Sequence, residues 1–157
     1  MSSLFSKNNF LGFIIIIFTF FVDRVSKLKI INNQIENKSI YINDYVNFEL
    51  VWNTGIGFGL FNMEANLTYH LISLLIFTVI LLIIFFMIKS TNVEKYFYSI
   101  ILGGAIGNLY DRLTFYGVPD FIDLHYKNYH WFTFNIADIF ITTGIILILL
   151  KEAIKTK

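Results

Sequence analysis

A chain of 157 residues that is 56% hydrophobic, 18% aromatic and only 15% charged, with a mean hydropathy of +0.65, has more apolar surface than one small water-soluble core can bury. A net charge of +1 with no dense basic stretch excludes a nucleic-acid backbone as partner. The absence of cysteine excludes disulfides, thiolate metal sites and thiol nucleophiles.

In chain order, the first apolar run, Phe10 to Val22, follows Lys7 and ends in Asp23-Arg24, not in the small residues of a leader cleavage site. With its flanks it reaches the roughly 20 residues that cross a bilayer, which predicts a first span over about 8–28. Segment 29–68 follows. Within it Val46, Phe48, Leu50 and Trp52 alternate with Asn47, Glu49, Val51 and Asn53, the period of a strand. Ser39 to Ile42 is expected to pair with it through a turn at Asn43-Asp44, and a Gly-rich run from Asn53 to Gly59 comes next. The second span, 69–88, carries no Asp, Glu, Lys or Arg and is closed by Lys89. The third, 96–113, is apolar from Tyr96 until Asp111-Arg112, after Gly103-Gly104-Ala105. Segment 114–131 holds the single proline, Pro119, and leads to a fourth span, 132–150, interrupted by Asn135 and Asp138.

These elements predict an all-α membrane protein, a four-transmembrane-helix bundle with a small extracytoplasmic β-hairpin or cradle, forming one integral domain over 1–157. An even number of spans puts both termini on one side. Lys7, Lys89, Lys95, Lys151, Lys155 and Lys157 crowd the termini and the tight turn after the second span, which places that side in the cytoplasm and segments 29–68 and 114–131 outside.

Polar groups inside apolar spans require a partner or a function. Asp23 and Lys27, one turn apart, read as an ion pair at the interface. Gly104, Asn108, Asp111 and Arg112 recur at spacings of three and four on one helix face, and Gly103 with Gly107 forms a close-packing GxxxG surface. Taken singly, these polar residues fit ties between helices as well as a site, and Asp111 beside Arg112 fits a paired charge. Asn135 and Asp138 also share a face, and Asp138 lies at membrane depth, which makes it a functional candidate. Asp120 follows Pro119 on what reads as a constrained turn at the outer mouth of the bundle, where it can approach Asp138. Two carboxylates in a poorly solvated site share a proton: one activates water and the other protonates the attacked carbonyl. That is amide hydrolysis without a metal. In the first turn of its helix Asp138 reads as the base, and Asp120 as the acid. A metal at Asp120, Asp123, His125 and His130 competes weakly, because the spacing matches no HExxH helix and the histidines belong to an interfacial aromatic stretch. The non-enzymatic alternative is a small membrane transporter or lipid-binding protein with its carboxylates in an ion path.

Asp23-Arg24-Val25-Ser26-Lys27 resembles the D-Q-x-S/T-K of the lipoprotein signal peptidases (signal peptidase II), and Asn53-Thr54-Gly55-Ile56-Gly57-Phe58 resembles their N-x-G-A-A-F. The stretch from Gly103 to Arg112 is similar to G-G-A-x-G-N-x-x-D-R, Val118-Pro119-Asp120-Phe121 to V-V-D-F, and Phe134 to Asp138 to F-N-x-A-D. The resemblance covers nearly the whole chain. It implies a catalytic dyad of Asp120 and Asp138, a substrate site of Asn53, Gly104, Asn108, Arg112 and Asn135, and supporting roles for Asp23, Lys27, Asp111 and Ala137, with no metal or other cofactor. It also implies a diacylglyceryl-modified prolipoprotein as substrate, cut on the amino side of the lipidated cysteine by a monomer surrounded by phospholipid in the bacterial inner membrane. Arg24, Gly57 and Pro119 depart from the family pattern, where Gln, Ala and Val are usual.

Overall fold

The computed structural model describes residues 7–33, 39–55, 67–90 and 92–155. The Gly-rich run beyond Gly55, Gly57 included, lies outside them. Helix α1 (Lys7–Asn33) leads to strands β1 (Ile40–Asn43) and β2 (Val46–Asn53). Helices α2 (Leu67–Lys89) and α3 (Asn92–Phe115), strands β3 (Val118–Tyr126) and β4 (Tyr129–Phe134), and helix α4 (Ile136–Lys155) complete the order. The strands form one antiparallel sheet in the order β1-β2-β3-β4.

The expected hairpin is present, with the Asn43 side chain accepting from the backbone N–H groups of Tyr45 and Val46 in its turn. It is half of a larger object. Segment 114–131, expected outside the membrane with a constrained turn at Asp120, supplies β3 and the start of β4, so the chain is not all-α with a lone hairpin. The last helix begins at Ile136, not at residue 132, because Phe132–Phe134 belong to β4. The run Tyr129-His-Trp-Phe-Thr-Phe134 is aromatic and apolar, which suits a strand and the entry of a span equally well until pairing partners decide. Asp120 is accordingly on a strand and not on a turn. Helix α2 has the length and composition to cross a bilayer, with a mean hydropathy of 3.3 over Tyr69–Lys89.

Helix α3 is the hub, packed against α1, α2 and α4. Glycines set the approach of its neighbours. A Cβ on Gly103 would collide with the Thr19 hydroxyl and come 2.7 Å from the Ile16 carbonyl oxygen of α1, and one on Gly107 would come 2.6 Å from an Asp23 carboxylate oxygen. Gly104 points elsewhere, with its Cβ position 2.7 Å from the Ala137 carbonyl oxygen of α4. On α4, Gly144 faces Ile101 and the Phe97 carbonyl of α3. The expected GxxxG surface thus serves α1, and an offset glycine serves α4. Because backbone atoms cannot step aside, Gly103→Val is expected to destabilise the bundle by about 1–3 kcal/mol, read as a lowered thermal midpoint in detergent. An unchanged midpoint would mean that α1 and α3 do not pack this closely.

Candidate active site

The sheet and the helix ends bring Asp120 and Asp138 to one site. In β2–β3 register Val51 faces Asp120, Trp52 faces Pro119 and Asn53 faces Val118. One extra residue on β2, between the Phe48–Ile122 and Val51–Asp120 pairs, makes a bulge beside Asp120. Pro119 sits where β3 pairs with β2 alone, since β4 joins β3 only from Ile122 onward, and such an edge stretch is where a strand tolerates proline.

Asp138 is fixed by the start of its own helix. Asn135 is the N-cap of α4: its Oδ1 accepts from the Asp138 N–H at 3.1 Å, and Asp138 Oδ2 accepts from the Asn135 N–H at 3.1 Å. This reciprocal capping box follows from the spacing of three residues. With its carbonyl oxygen used, Asn135 turns its Nδ2 to Asp120 Oδ1, donating at 2.5 Å.

The same device appears twice more. Asn53 Oδ1 accepts from the Gly55 N–H at 2.9 Å, a local Asx turn, and its Nδ2 donates to Asp120 Oδ2 at 2.9 Å. Asn108 Oδ1 accepts from Lys27 Nζ at 2.8 Å, and its Nδ2 donates to Asp138 Oδ1 at 2.9 Å. In each case a tethered carbonyl leaves the amide only one way to point, so every carboxylate oxygen of the pair receives an N–H from a neutral group. Such donors hold the carboxylates in place without adding positive charge beside them. Asp120 is 2% exposed, and its burial, followed by the Asp138 carboxylate, pushes its pKa up to about 7.

Behind the pair is a buried charge cluster. The Lys27 ammonium is fully buried; it donates to Asp23 Oδ2 at 2.8 Å and Asn108 Oδ1 at 2.8 Å and lies 2.7 Å from Asp111 Oδ2 as an ion pair. Asp23 uses its other oxygen to accept from the Ala137 N–H at 2.9 Å, satisfying an orphan donor in the first turn of α4. The Asp23–Lys27 pair is therefore present, but deep in the bundle and not at a wet interface. Arg24 pairs with Asp111 and lies over the Tyr110 and Phe115 rings. Two acids and two bases leave the cluster neutral. Asp111 and Arg112 are not paired with each other, since adjacent helical residues point in different directions. Arg112 instead donates to the Gly55 carbonyl, while its own carbonyl accepts from Tyr69 Oη at 2.7 Å.

A cavity of about 660 Å³ opens between α2, α3 and α4. Asn53, Asn108, Arg112, Asp120, Asn135 and Asp138 line its polar end, and Ile76, Ile80 and Ile83 of α2 with Ile141, Ile145 and Leu149 of α4 line an apolar leg. Six of the expected residues thus share one cavity wall. Asp23, Lys27, Asp111 and Ala137 stand behind it, and Gly104 is a packing position against α4 that does not line the cavity. Asp123, His125 and His130 form a separate group in the sheet: His130 Nδ1 is 2.7 Å from Asp123 Oδ2 and stacks on His125. The described residues include no cluster of three or more His, Cys, Asp or Glu arranged to hold a metal.

Sequence reasoning noted Arg24 only as a departure and missed its ion pair with Asp111. It also missed the Lys27–Asn108 bond, for which no local pattern exists. The Asn-x-x-Asp spacing of the capping box and the Asn-x-Gly of the Asx turn were signals available in the chain.

Known proteins match the chain over nearly its whole length. A model of the family "Signal peptidase (SPase) II" matches residues 15–154. The chain is similar to the lipoprotein signal peptidase of Pelagibacter ubique (strain HTCC1062), 46% identical over 154 residues, spanning 97% of this chain and 93% of that protein. It is 36% identical to that of Anaplasma phagocytophilum (strain HZ), over 93% of this chain and 94% of the relative. Two solved bacterial membrane enzymes share the fold. One has a TM-score of 0.77 at 26% identity over 94% of this chain and 90% of its own, the other 0.74 at 27% over 90% and 91%. With the match running from the first helix into the last, the chain belongs to the signal peptidase II family.

Proposed function

We propose that this membrane protein is a lipoprotein signal peptidase, an aspartic endopeptidase that removes the signal peptide from diacylglyceryl-modified prolipoproteins on the amino side of the lipidated cysteine. The name shared by its relatives supports the reaction and the prolipoprotein substrate. The observation that carries the mechanism is the pair of carboxylates held by three asparagines at the polar end of a cavity with a long apolar leg.

In this reading Asp138 takes a proton from water as the water oxygen attacks the scissile carbonyl carbon, and Asp120 gives its proton to the carbonyl oxygen. Collapse of the tetrahedral intermediate passes the proton on Asp138 to the leaving amine nitrogen as the C–N bond breaks, while Asp120 takes back a proton from the gem-diol oxygen, which restores the dyad. Asp120 suits the acid because burial holds it protonated up to about pH 7. Arg112 lines the cavity, and its Nε and Nη1 are buried without a partner among the described residues, two donors suited to backbone carbonyls of a bound peptide. The apolar leg suits the hydrophobic stretch of the substrate.

The four-span topology belongs to the same proposal. Large apolar side chains on the outer faces support it: Phe10, Phe18 and Phe21 on α1, Leu71, Leu74 and Phe86 on α2, and Ile146 and Leu150 on α4 are each more than two-fifths exposed. Exposed Tyr41, Tyr45, Tyr129 and Trp131 on the sheet suit a membrane–water boundary. The sheet and the dyad then lie at the extracytoplasmic face of the inner membrane and both termini in the cytoplasm, with the enzyme acting as a monomer in phospholipid.

The test is cleavage of a diacylglyceryl-modified prolipoprotein in liposomes with chelator present throughout. Cut product beginning at the modified cysteine is expected; loss of activity with chelator would move the chemistry to a metal. A pH profile tests the acid. As pH rises through about 7 Asp120 loses its proton, so kcat/KM is expected to fall on that limb. A profile flat across that pH would remove Asp120 from the role of acid.

A further inference from the structure

We propose that the end of the bundle remote from the sheet carries a binding site for one anionic phospholipid. The inference rests on the membrane-spanning reading above but not on the catalytic one. Helices α1 and α2 both pack on α3 but make little contact with each other, and between them, at the α1 N-terminus and the α2 C-terminus, lies a second cavity of about 370 Å³. This is within the usual size of a ligand site. Phe13 and Ile16 of α1 with Met87 and Ile88 of α2 line its apolar part, and Asn8, Asn9 and Lys95 line its polar part. From Asn8 to Ile16 the helix rises roughly 12 Å, so the polar and apolar parts are separated along the direction a lipid would lie.

The polar part selects an anion. Lys95 Nζ donates to Asn9 Oδ1 at 3.0 Å, and Tyr96 Oη donates to Asn8 Oδ1 at 2.9 Å. Lys95 is therefore steered to the cavity by a neutral partner, no carboxylate among the described residues pairs with it, and Asn8 has its Nδ2 as a donor unused by the described residues. Among the described residues no carboxylate lines the cavity, and the neighbouring Glu94 is taken by Lys151 at 2.7 Å. Lys7 and Lys89 add positive charge at the same end of the bundle. A phosphodiester at Lys95 and Asn8, with an acyl chain along Phe13, Ile16 and Ile88, meets both halves of the cavity. A glycerophospholipid with net negative charge has that chemistry; a zwitterionic one brings its own cation into the lysine field.

The probe is phosphatidylglycerol mixed into excess phosphatidylcholine in nanodiscs holding the full chain, with retained lipid counted by native mass spectrometry. Wild type is expected to retain phosphatidylglycerol over phosphatidylcholine by about fivefold more than Lys95→Gln does, with Lys95→Arg behaving as wild type. Peptidase activity, measured alongside, is expected to be the same in all three and reports intact folding. Equal retention of the two lipids by wild type, or an unchanged preference in Lys95→Gln, overturns the proposal. So does a dimer that fills the groove with a second copy and excludes both lipids. Failure of the chain to enter nanodiscs would instead strike at the membrane-spanning reading.

Discussion

Asp120→Asn and Asp138→Asn are each expected to lower cleavage of a diacylglyceryl-modified prolipoprotein by about 10²–10⁴-fold, with the double variant hardly worse than either. Each carboxylate already has both oxygens occupied by neutral N–H donors, so an amide in its place keeps the shape and loses only proton chemistry and charge. The exchange is not free of strain, because one amide NH₂ group would then face another donor, a mismatch of about 1–3 kcal/mol. For Asp138→Asn, removing the single buried negative charge that the proton-sharing pair carries acts in the opposite direction. Folded yield and thermal midpoint are therefore expected to change little while turnover collapses. Normal turnover by either variant would dismiss the dyad, and turnover lost together with folding would point to a structural role for that aspartate.

The site was legible in the sequence where chemistry is local. Asn135-x-x-Asp138 at the start of a helix, Asn53-x-Gly55 at a turn and the glycines of α3 each carry their reason in their spacing. What escaped depends on residues far apart in the chain. Phe132–Phe134 read as the entry of a span because aromatic, apolar residues satisfy lipid and sheet alike, and only pairing with Ile122–Leu124 distinguishes the two. Asp111 looked like the partner of Arg112 because they are adjacent, whereas its partners, Arg24 and Lys27, come from another helix. Arg24, a departure from the family pattern, changes the electrostatics behind the dyad: it brings a second cation to Asp111 and balances the cluster.

That balance gives Lys27 the second large expected effect. Its ammonium holds Asp23, Asp111 and the Asn108 carbonyl at once, and the last of these bonds is what aims the Asn108 amide at Asp138. Lys27→Met leaves one buried negative charge uncompensated, which is expected to destabilise the protein by about 3–5 kcal/mol. It also frees Asn108 to turn over, so that Asp138 loses a fixed donor and turnover falls about 10–100-fold, the range seen when a group that orients an active residue is lost. Folding and catalysis can be separated by adding Asp23→Asn. The double variant retains only the Arg24–Asp111 pair, which is neutral, so much of the thermal midpoint is expected to return. Activity is not, because nothing in the double variant ties the Asn108 carbonyl. Recovery of both together would mean that Lys27 serves the fold alone, and that Asn108 finds its orientation without it.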